Sequence, residues 1–325
     1  MRKISYAMAI NEALAEELER DERVFLMGED VGVMGGVFSV TRGLADKFGR
    51  DRVKDTPISE MAILGSAMGA ALTGMRPVAE IMRCDFIGVC LDEILNQISK
   101  RRYSSGGQLT VPLVVRFCAG ASLSSGPDHS QSLEAFLVHI PGVKVVFPST
   151  PYDAKGLLKA AIRDDNPVMF FEHRGLYYGV TGEVPEEEYT IPLGKGDIKR
   201  EGSDVTVVAT ARMVHIALAA AETLQGQGIS VEVVDPRTLL PLDKQLIIES
   251  VKKTSRLIVC TEECKTGSVA AEIAAVVAEE AFDYLDAPIK RVNAPDTPIA
   301  FSPPLQKLYV PDEEDLINAV AELGL

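Results

Sequence analysis

The chain predicts an α/β fold built as two parallel-sheet α/β domains. Three observations point there. Strand and helix signals alternate along almost the whole length. The strands are continuous apolar runs, the pattern of strands buried on both faces of a parallel sheet. One aperiodic stretch, 173–204, rich in Gly, Pro and charge, interrupts the alternation once and reads as a linker. The domains are therefore set at 1–190 and 191–325. At 325 residues, with 46% hydrophobic and 25% charged residues, the chain is long enough for two cores.

In the first domain, Ser5 to Arg20 has apolar positions near helical spacing (Met8, Leu14, Leu18) and predicts an amphipathic helix. RVFLMG (23–28) predicts a short buried strand. Next come a helix over 61–74, a strand over 76–82 and a helix over 85–102. A strand at 111–117 and a helix at 130–139 follow, then a strand at 143–148. Pro151 opens a helix that runs to 164, and NPVMFFE (166–172) is a strand. In the second domain, strands at 205–210, 230–235, 256–262 and 288–293 alternate with helices at 214–224, 243–253 and 268–282. A last helix begins near Glu313.

The charge balance excludes one class of function. Lys plus Arg is 33 and Asp plus Glu is 47, a net charge of −14. Phosphate backbones need clustered cations, so nucleic acid is not an expected ligand. An acidic surface suits a basic protein partner. The five cysteines (84, 90, 118, 260, 264) form no C-x-x-C pair, and the four histidines offer no second half for a metal site. They are read as reduced thiols. No apolar run reaches the ~20 residues that span a bilayer. The N-terminus turns acidic and helical without an apolar signal core, so the expected location is the cytoplasm.

Phosphate-loop, dinucleotide and nucleophile-elbow motifs are all missing from the sequence. Candidates then lie at strand ends, where open parallel sheets bind ligands. Glu60 opens the helix after DTPIS, with Ser59 placed to cap it. Glu60 is either a first-turn carboxylate favoured by the helix dipole or a reagent. Gly65-x-x-x-Gly69, among small residues, lets another backbone or a ligand approach; two helix-interior Gly cost about 1 kcal/mol each relative to Ala. His129 sits where a Gly/Ser-rich loop enters a helix. It is either a proton-transfer group or a helix-start residue bonded to its neighbours. Phe86 is either core or a flat surface for a ligand ring. Glu29 ends the first long strand. AAIRDDNP (160–167) ends a helix with free carbonyls that a monovalent cation or water could occupy.

Several long stretches, in order, carry a family resemblance. They are GEDVGVMGGVFSVTRGL, DTPISEMAILGSAMGAALTGMRPVAEIM, RRYSSGGQ, GPDHSQSLEAF, PSTPYDAKGLLKAAIRDDNPVMFFE, DPRTLLPLD and FSPPLQKLYVPDEEDL. The chain resembles the beta subunit of the thiamine-diphosphate-dependent dehydrogenase component of 2-oxo acid dehydrogenase complexes, pyruvate or acetoin type. The resemblance implies a pyrimidine-binding domain, then a transketolase C-terminal-like domain, in an α2β2 assembly with a β–β contact.

It also implies roles. Glu60 matches the glutamate that bonds a pyrimidine ring nitrogen of thiamine diphosphate, and Phe86 the aromatic packed on that ring. His129 matches the histidine facing the substrate and the lipoyl group. Glu29 matches an acid linking two active sites by proton transfer. Leu113, Ala161, Ile162, Asp164 and Asn166 match positions that hold a structural potassium ion. The chain lacks the G-D-G motif that holds diphosphate and magnesium, which in this family belongs to the alpha subunit. The resemblance therefore implies half a site, inactive alone, with the lipoyl and subunit-binding domains of an acyltransferase as further partners. Asp128 stands where relatives carry Gln, a carboxylate expected to raise the pKa of His129. The single His in GPDHSQS leans toward pyruvate or acetoin. A branched-chain 2-oxo acid enzyme and a non-catalytic α/β scaffold are the alternatives.

Overall fold

The computed structural model describes residues 1–122 and 124–325. Two compact units emerge. The first holds Met1–Ala119 and Phe136–Leu193, the second Gly120–Ala135 and Gly194–Leu325.

The strands of the first unit are β1 (Arg2–Ser5), β2 (Val24–Gly28), β3 (Val53–Asp55), β4 (Arg76–Ile81), β5 (Val114–Ala119), β6 (Lys144–Val146), β7 (Val168–His173) and β8 (Thr181–Val184). β6-β7-β5-β4-β2-β3 form a parallel sheet in that order, and β1 pairs antiparallel with β8. Its helices are α1 (Tyr6–Arg20), α2 (Leu44–Phe48), α3 (Glu60–Leu72), α4 (Arg101–Ser104), α6 (Pro151–Arg163) and α7 (Leu176–Gly179), with α5 (Glu134–Val138) at the junction of the two units. Ser5 caps α1 by accepting from the Met8 amide at 3.2 Å. Ile10, Ala13, Leu14 and Leu18 then face the core, whereas Met8 is exposed. Thr150 caps α6 in the same way, with Pro151 in its first turn. Charge latches α1 to α6: the fully buried Lys159 pairs with Glu16 at 2.6 Å, and Arg163 with the buried Glu17 at 2.5 Å. Each pair joins a buried charge to a partner that reaches solvent, and Glu188 backs both cations, so loss of one contact is softened by screening and by the second acid.

The second unit contains β9 (Asp197–Arg200), β10 (Val205–Ala209), β11 (Val231–Asp235), β12 (Thr238–Leu240), β13 (Leu257–Cys264) and β14 (Lys290–Ala294). Five of these form a sheet in the order β14-β13-β10-β11-β9, parallel except for the antiparallel edge strand β9. Its helices are α8 (Arg212–Gln225), α9 (Lys244–Thr254), α10 (Val269–Glu280), α11 (Pro303–Tyr309) and α12 (Glu313–Ala321). Each of the three central strands β10, β11 and β13 is buried at nearly every residue, which explains why they are mostly apolar.

The structure departs from the periodicity in definite places. The helix expected over 85–102 is a 3₁₀ turn (Cys84–Val89), a π segment (Glu93–Ile98) and the short α4. Such irregular helices recur at functional sites, where side chains must be re-aimed. The helix expected over 130–139 shrinks to Glu134–Val138. The 173–204 stretch contains α7, β8 and β9, whose short edge strands lack an apolar period. Among the described residues, no helix is long and apolar enough to cross a membrane.

Candidate active site

The first group of candidates gathers at the carboxyl ends of β2 and β4. Gly28 ends β2 against β4 so closely that a Cβ would lie 2.9 Å from the Glu80 carbonyl oxygen. The chain then turns through Asp30 at φ 57. Asp55, at the end of β3, clamps the turn by accepting from the Gly32 amide at 2.6 Å and the Val33 amide at 3.2 Å. These constraints place Glu29 at the strand end, 6% exposed. Glu60 begins α3 and is 8% exposed. Ser59 does not cap this helix; its hydroxyl donates to the Pro57 carbonyl at 3.1 Å.

Neither the Glu29 nor the Glu60 side chain makes a hydrogen bond or ion pair with any described residue. Their carboxylate oxygens are not among the enclosed unpartnered atoms, so both are open to solvent or a ligand. Glu29 feels its surroundings: burial first, then the charges of Glu60, Asp30 and Glu80, hold its carboxyl above the usual range. Cys90 shares this neighbourhood. Burial, then Glu93 and Glu60, push its thiol up to about 12. It is no nucleophile. The Cys90 thiol lies 3.7 Å from the carbonyl oxygen of Phe86, and the Phe86 side chain is half-buried on the 3₁₀ turn.

Beneath Glu29 runs a buried ionic layer that periodicity did not disclose. Arg116 of β5 makes a two-pronged bond to Glu172 of β7, at 2.6 and 2.7 Å, and a third to Glu80 of β4. The Tyr177 hydroxyl adds a 2.8 Å bond to Glu172. Burial nonetheless holds the Glu80 carboxyl above its ordinary range. The only sequence signal was the charge of Glu80, Arg116 and Glu172 within three mostly apolar strands.

His129 belongs to the second unit, in the loop 120–135. The two ends of that loop hang on adjacent residues of β13: the Ala121 amide donates to Glu262 Oε1 at 2.5 Å, the Ala135 amide to Glu263 Oε1 at 3.1 Å. Gly126 lies under the Phe301 ring, at φ 85. Asp128 Oδ1 is 3.1 Å from His129 Nδ1, and the imidazole is 41% exposed. A cavity of about 470 Å³ beside the loop is lined by Pro127, Gln131, Cys264, Thr266, Asp296 and Tyr309.

The potassium candidates converge at the end of α6. The Leu113 carbonyl accepts from the Val168 amide at 2.9 Å and the Ala161 carbonyl from the Asp164 amide at 3.2 Å. Arg76 spans two more, donating to Ile162 O at 2.9 Å and Asp164 O at 2.6 Å. Asn166 donates to Asp164 Oδ1 at 2.9 Å, and Lys144 pairs with the same carboxylate. The donors are hard oxygens, each carbonyl with a second lone pair, which suits potassium. Arg76 and Lys144 already bring two positive charges there. No group of three or more His, Cys, Asp or Glu among the described residues could hold a metal.

Glu29, Glu60 and Phe86 thus lie in the first unit and His129 in the second. Sequence reasoning missed Asp55, Arg76, Cys90 and the Arg116 layer.

Two parallel-dominated α/β units in succession are the architecture of a transketolase-type protein. The transketolase pyrimidine-binding domain matches residues 2–179 and the transketolase C-terminal domain residues 194–316. A solved split-gene transketolase, described as an inactive beta4 tetramer, superimposes with a TM-score of 0.81 at 25% identity, over 98% of both chains. The acetoin:2,6-dichlorophenolindophenol oxidoreductase subunit beta of Bacillus subtilis is 51% identical over 99% of this chain and 97% of its own. The 2-oxoisovalerate dehydrogenase subunit beta of Bacillus subtilis is 49% identical over 100% and 99%, and its pyruvate dehydrogenase E1 component subunit beta 47% over 99% of each. The chain belongs to this family of beta subunits of thiamine-diphosphate-dependent dehydrogenases.

Proposed function

We propose that the chain supplies the pyrimidine-side half of a thiamine-diphosphate site in a 2-oxo acid or acetoin dehydrogenase. An alpha subunit would hold the diphosphate and magnesium. The single observation that carries this reading is Glu60: a residue only 8% exposed, at the start of a helix, whose carboxylate reaches the surface with no hydrogen-bond partner among the described residues. A ring nitrogen bearing a proton is the donor such a group lacks, so the residues fit the cofactor. Thiamine diphosphate, when bound, supplies the nucleophilic carbon at which the substrate's carbon–carbon bond is cleaved.

The chain's own residues do the rest. Glu60 holds a hydrogen bond to the pyrimidine ring. Phe86, on its 3₁₀ turn, offers a flat surface for that ring. Glu29, its carboxyl held above the usual range by burial and then by Glu60, can take up or pass a proton beside it. His129, half exposed and 3.1 Å from Asp128, faces the substrate and the incoming lipoyl group as a proton-transfer group. The acyl group then passes to the lipoyl domain of an acyltransferase, whose basic subunit-binding domain suits an acidic chain. The oxygen cluster of Leu113, Ala161, Ile162, Asp164 and Asn166 would hold potassium between the end of α6 and β5.

Partner contact is supported by α3. Gly65 and Gly69 face open space, where an added Cβ would meet nothing within 4 Å, beside the exposed Met61. The tight packing such small residues allow is therefore left for another chain: the alpha subunit or a second beta subunit. The expected location is the cytoplasm. Identities of 51%, 49% and 47% do not separate acetoin, branched-chain and pyruvate substrates. Co-expression with an alpha subunit and assay of all three with a dye acceptor decides among them. No turnover of any, with cofactor and magnesium present, would overturn the reading in favour of a scaffold.

A further inference from the structure

We infer that Glu134 and Glu263 share protons as a pair of positioning residues, holding the His129 loop on β13 while protonated and loosening it as those protons leave. The catalytic meaning rests on the role proposed for His129; the loop behaviour does not.

Glu134 is 1% exposed and Glu263 3% exposed. Neither forms an ion pair with any described residue. Two ionised carboxylates buried together without a cation are prohibitively costly, so at least one proton stays with the pair.

The surroundings divide the roles. Glu263 accepts from the Ala135 amide at 3.1 Å, the Val269 amide at 2.8 Å and the Thr261 hydroxyl at 3.3 Å, so it tolerates charge. Neither oxygen of Glu134 has a donor in bonding geometry, although the Ser132 hydroxyl is close by; Glu134 is the better place for a proton.

The other charged groups do not rescue the pair. Glu262 adds a third carboxylate, and Arg212 of α8 reaches Glu262 at 3.8 Å rather than either member. Burial first, then Glu263, holds Glu134 well above the carboxylate range; burial pushes Glu263 up to about 7.

The loop is fastened where these protons sit. Adjacent strand residues ordinarily face opposite ways, but the register of β13 against β14 shifts between Cys260 and Cys264. Glu262 and Glu263 hold the amides of Ala121 and Ala135, one at each end of the segment bearing His129.

The sign follows from linkage. When the loop opens, both carboxyls return toward the ordinary value of 4.5, so opening releases protons. Protection is full below that value and falls as pH rises, through about 7 for Glu263 and beyond for Glu134.

The experiment is hydrogen–deuterium exchange on the full chain from pH 5 to 8, corrected for intrinsic exchange. Ala135 protection should fall by about tenfold per pH unit for each proton released, while β10 and β11 stay unchanged. Glu134→Gln should make the slope shallower, and Glu263→Gln should do the same while lowering protection throughout. A flat wild-type profile, or an unchanged slope in either variant, overturns the inference. The measurement needs no cofactor, alpha subunit or turnover. Failure of the thiamine reading would appear separately, as normal activity of Glu60→Gln.

Discussion

Glu29 carries the imprint of Glu60. Burial comes first, and next the charge of Glu60, in holding the Glu29 carboxyl above the usual range, although neither side chain bonds to any described residue. The two acids stand at the end of β2 and the start of α3, and the thiamine reading explains why both are present.

Glu60→Gln should abolish turnover of the assembled enzyme, by about 10²–10⁴-fold, while alpha-subunit association persists. Its thermal midpoint should be no lower than wild type, because the substitution breaks no hydrogen bond or ion pair to a described residue. Steady-state kinetics, size-exclusion chromatography and calorimetry check the three parts; full activity would sink the assignment.

The stability of the chain should decline as pH rises above the ordinary carboxylate range. Glu29, Glu80, Glu134 and Glu263 all have raised folded-state pKa values, so the native state binds more protons than the unfolded one. Stability is then present at low pH and lost through each folded pKa. The paired acids Glu16, Asp164 and Glu188, held low, pull the other way only below the carboxylate range. Urea midpoints between pH 5 and 8 test this. A midpoint that rises across that window would contradict it.

Arg76→Lys should cost about 2–3 kcal/mol. One ammonium cannot span Ile162 O, Asp164 O and Asp165 Oδ1 together, and the exposed Asp165 contributes little. If potassium occupies this cluster, potassium chloride should raise the wild-type midpoint more than sodium chloride at equal ionic strength. Equal midpoints would remove potassium from the proposed site.

Gly126→Ala should destabilise the second unit by about 1–3 kcal/mol. The new Cβ would fall 2.2 Å from the Phe301 ring, at φ 85. Phe301→Ala should recover the steric part in a double-mutant cycle and leave the backbone part. Additive losses would show that the ring yields freely.

Binding of the acyltransferase's basic domain should weaken as salt rises. The acidic stretch PDEEDL is partly spent within the fold, since Asp312 and Asp315 form a capping box on α12. Glu314→Gln should therefore weaken docking more than Asp315→Asn, by calorimetric titration. Salt-independent binding would rule out this charge-steered surface.

The α/β architecture was legible because β10, β11 and β13 are buried on both faces, and such strands are mostly apolar along their length. Glu29 and Glu60 stood out because each is a charge at a strand or helix end beside residues chosen for close approach. The sequence could also supply the family resemblance, carried by long ordered motifs. Only the tertiary structure decided what these acids meet. It left Glu60 without a partner, coupled it to Glu29, turned Ser59 away from the helix and set Arg76 on the Ile162 and Asp164 carbonyls. It also hung the His129 loop on Glu262 and Glu263, over 120 residues away in the chain. The reason is physical. Periodicity reports which face of a local element is buried, whereas a carboxylate's partners and proton affinity depend on groups brought near it from elsewhere in the chain.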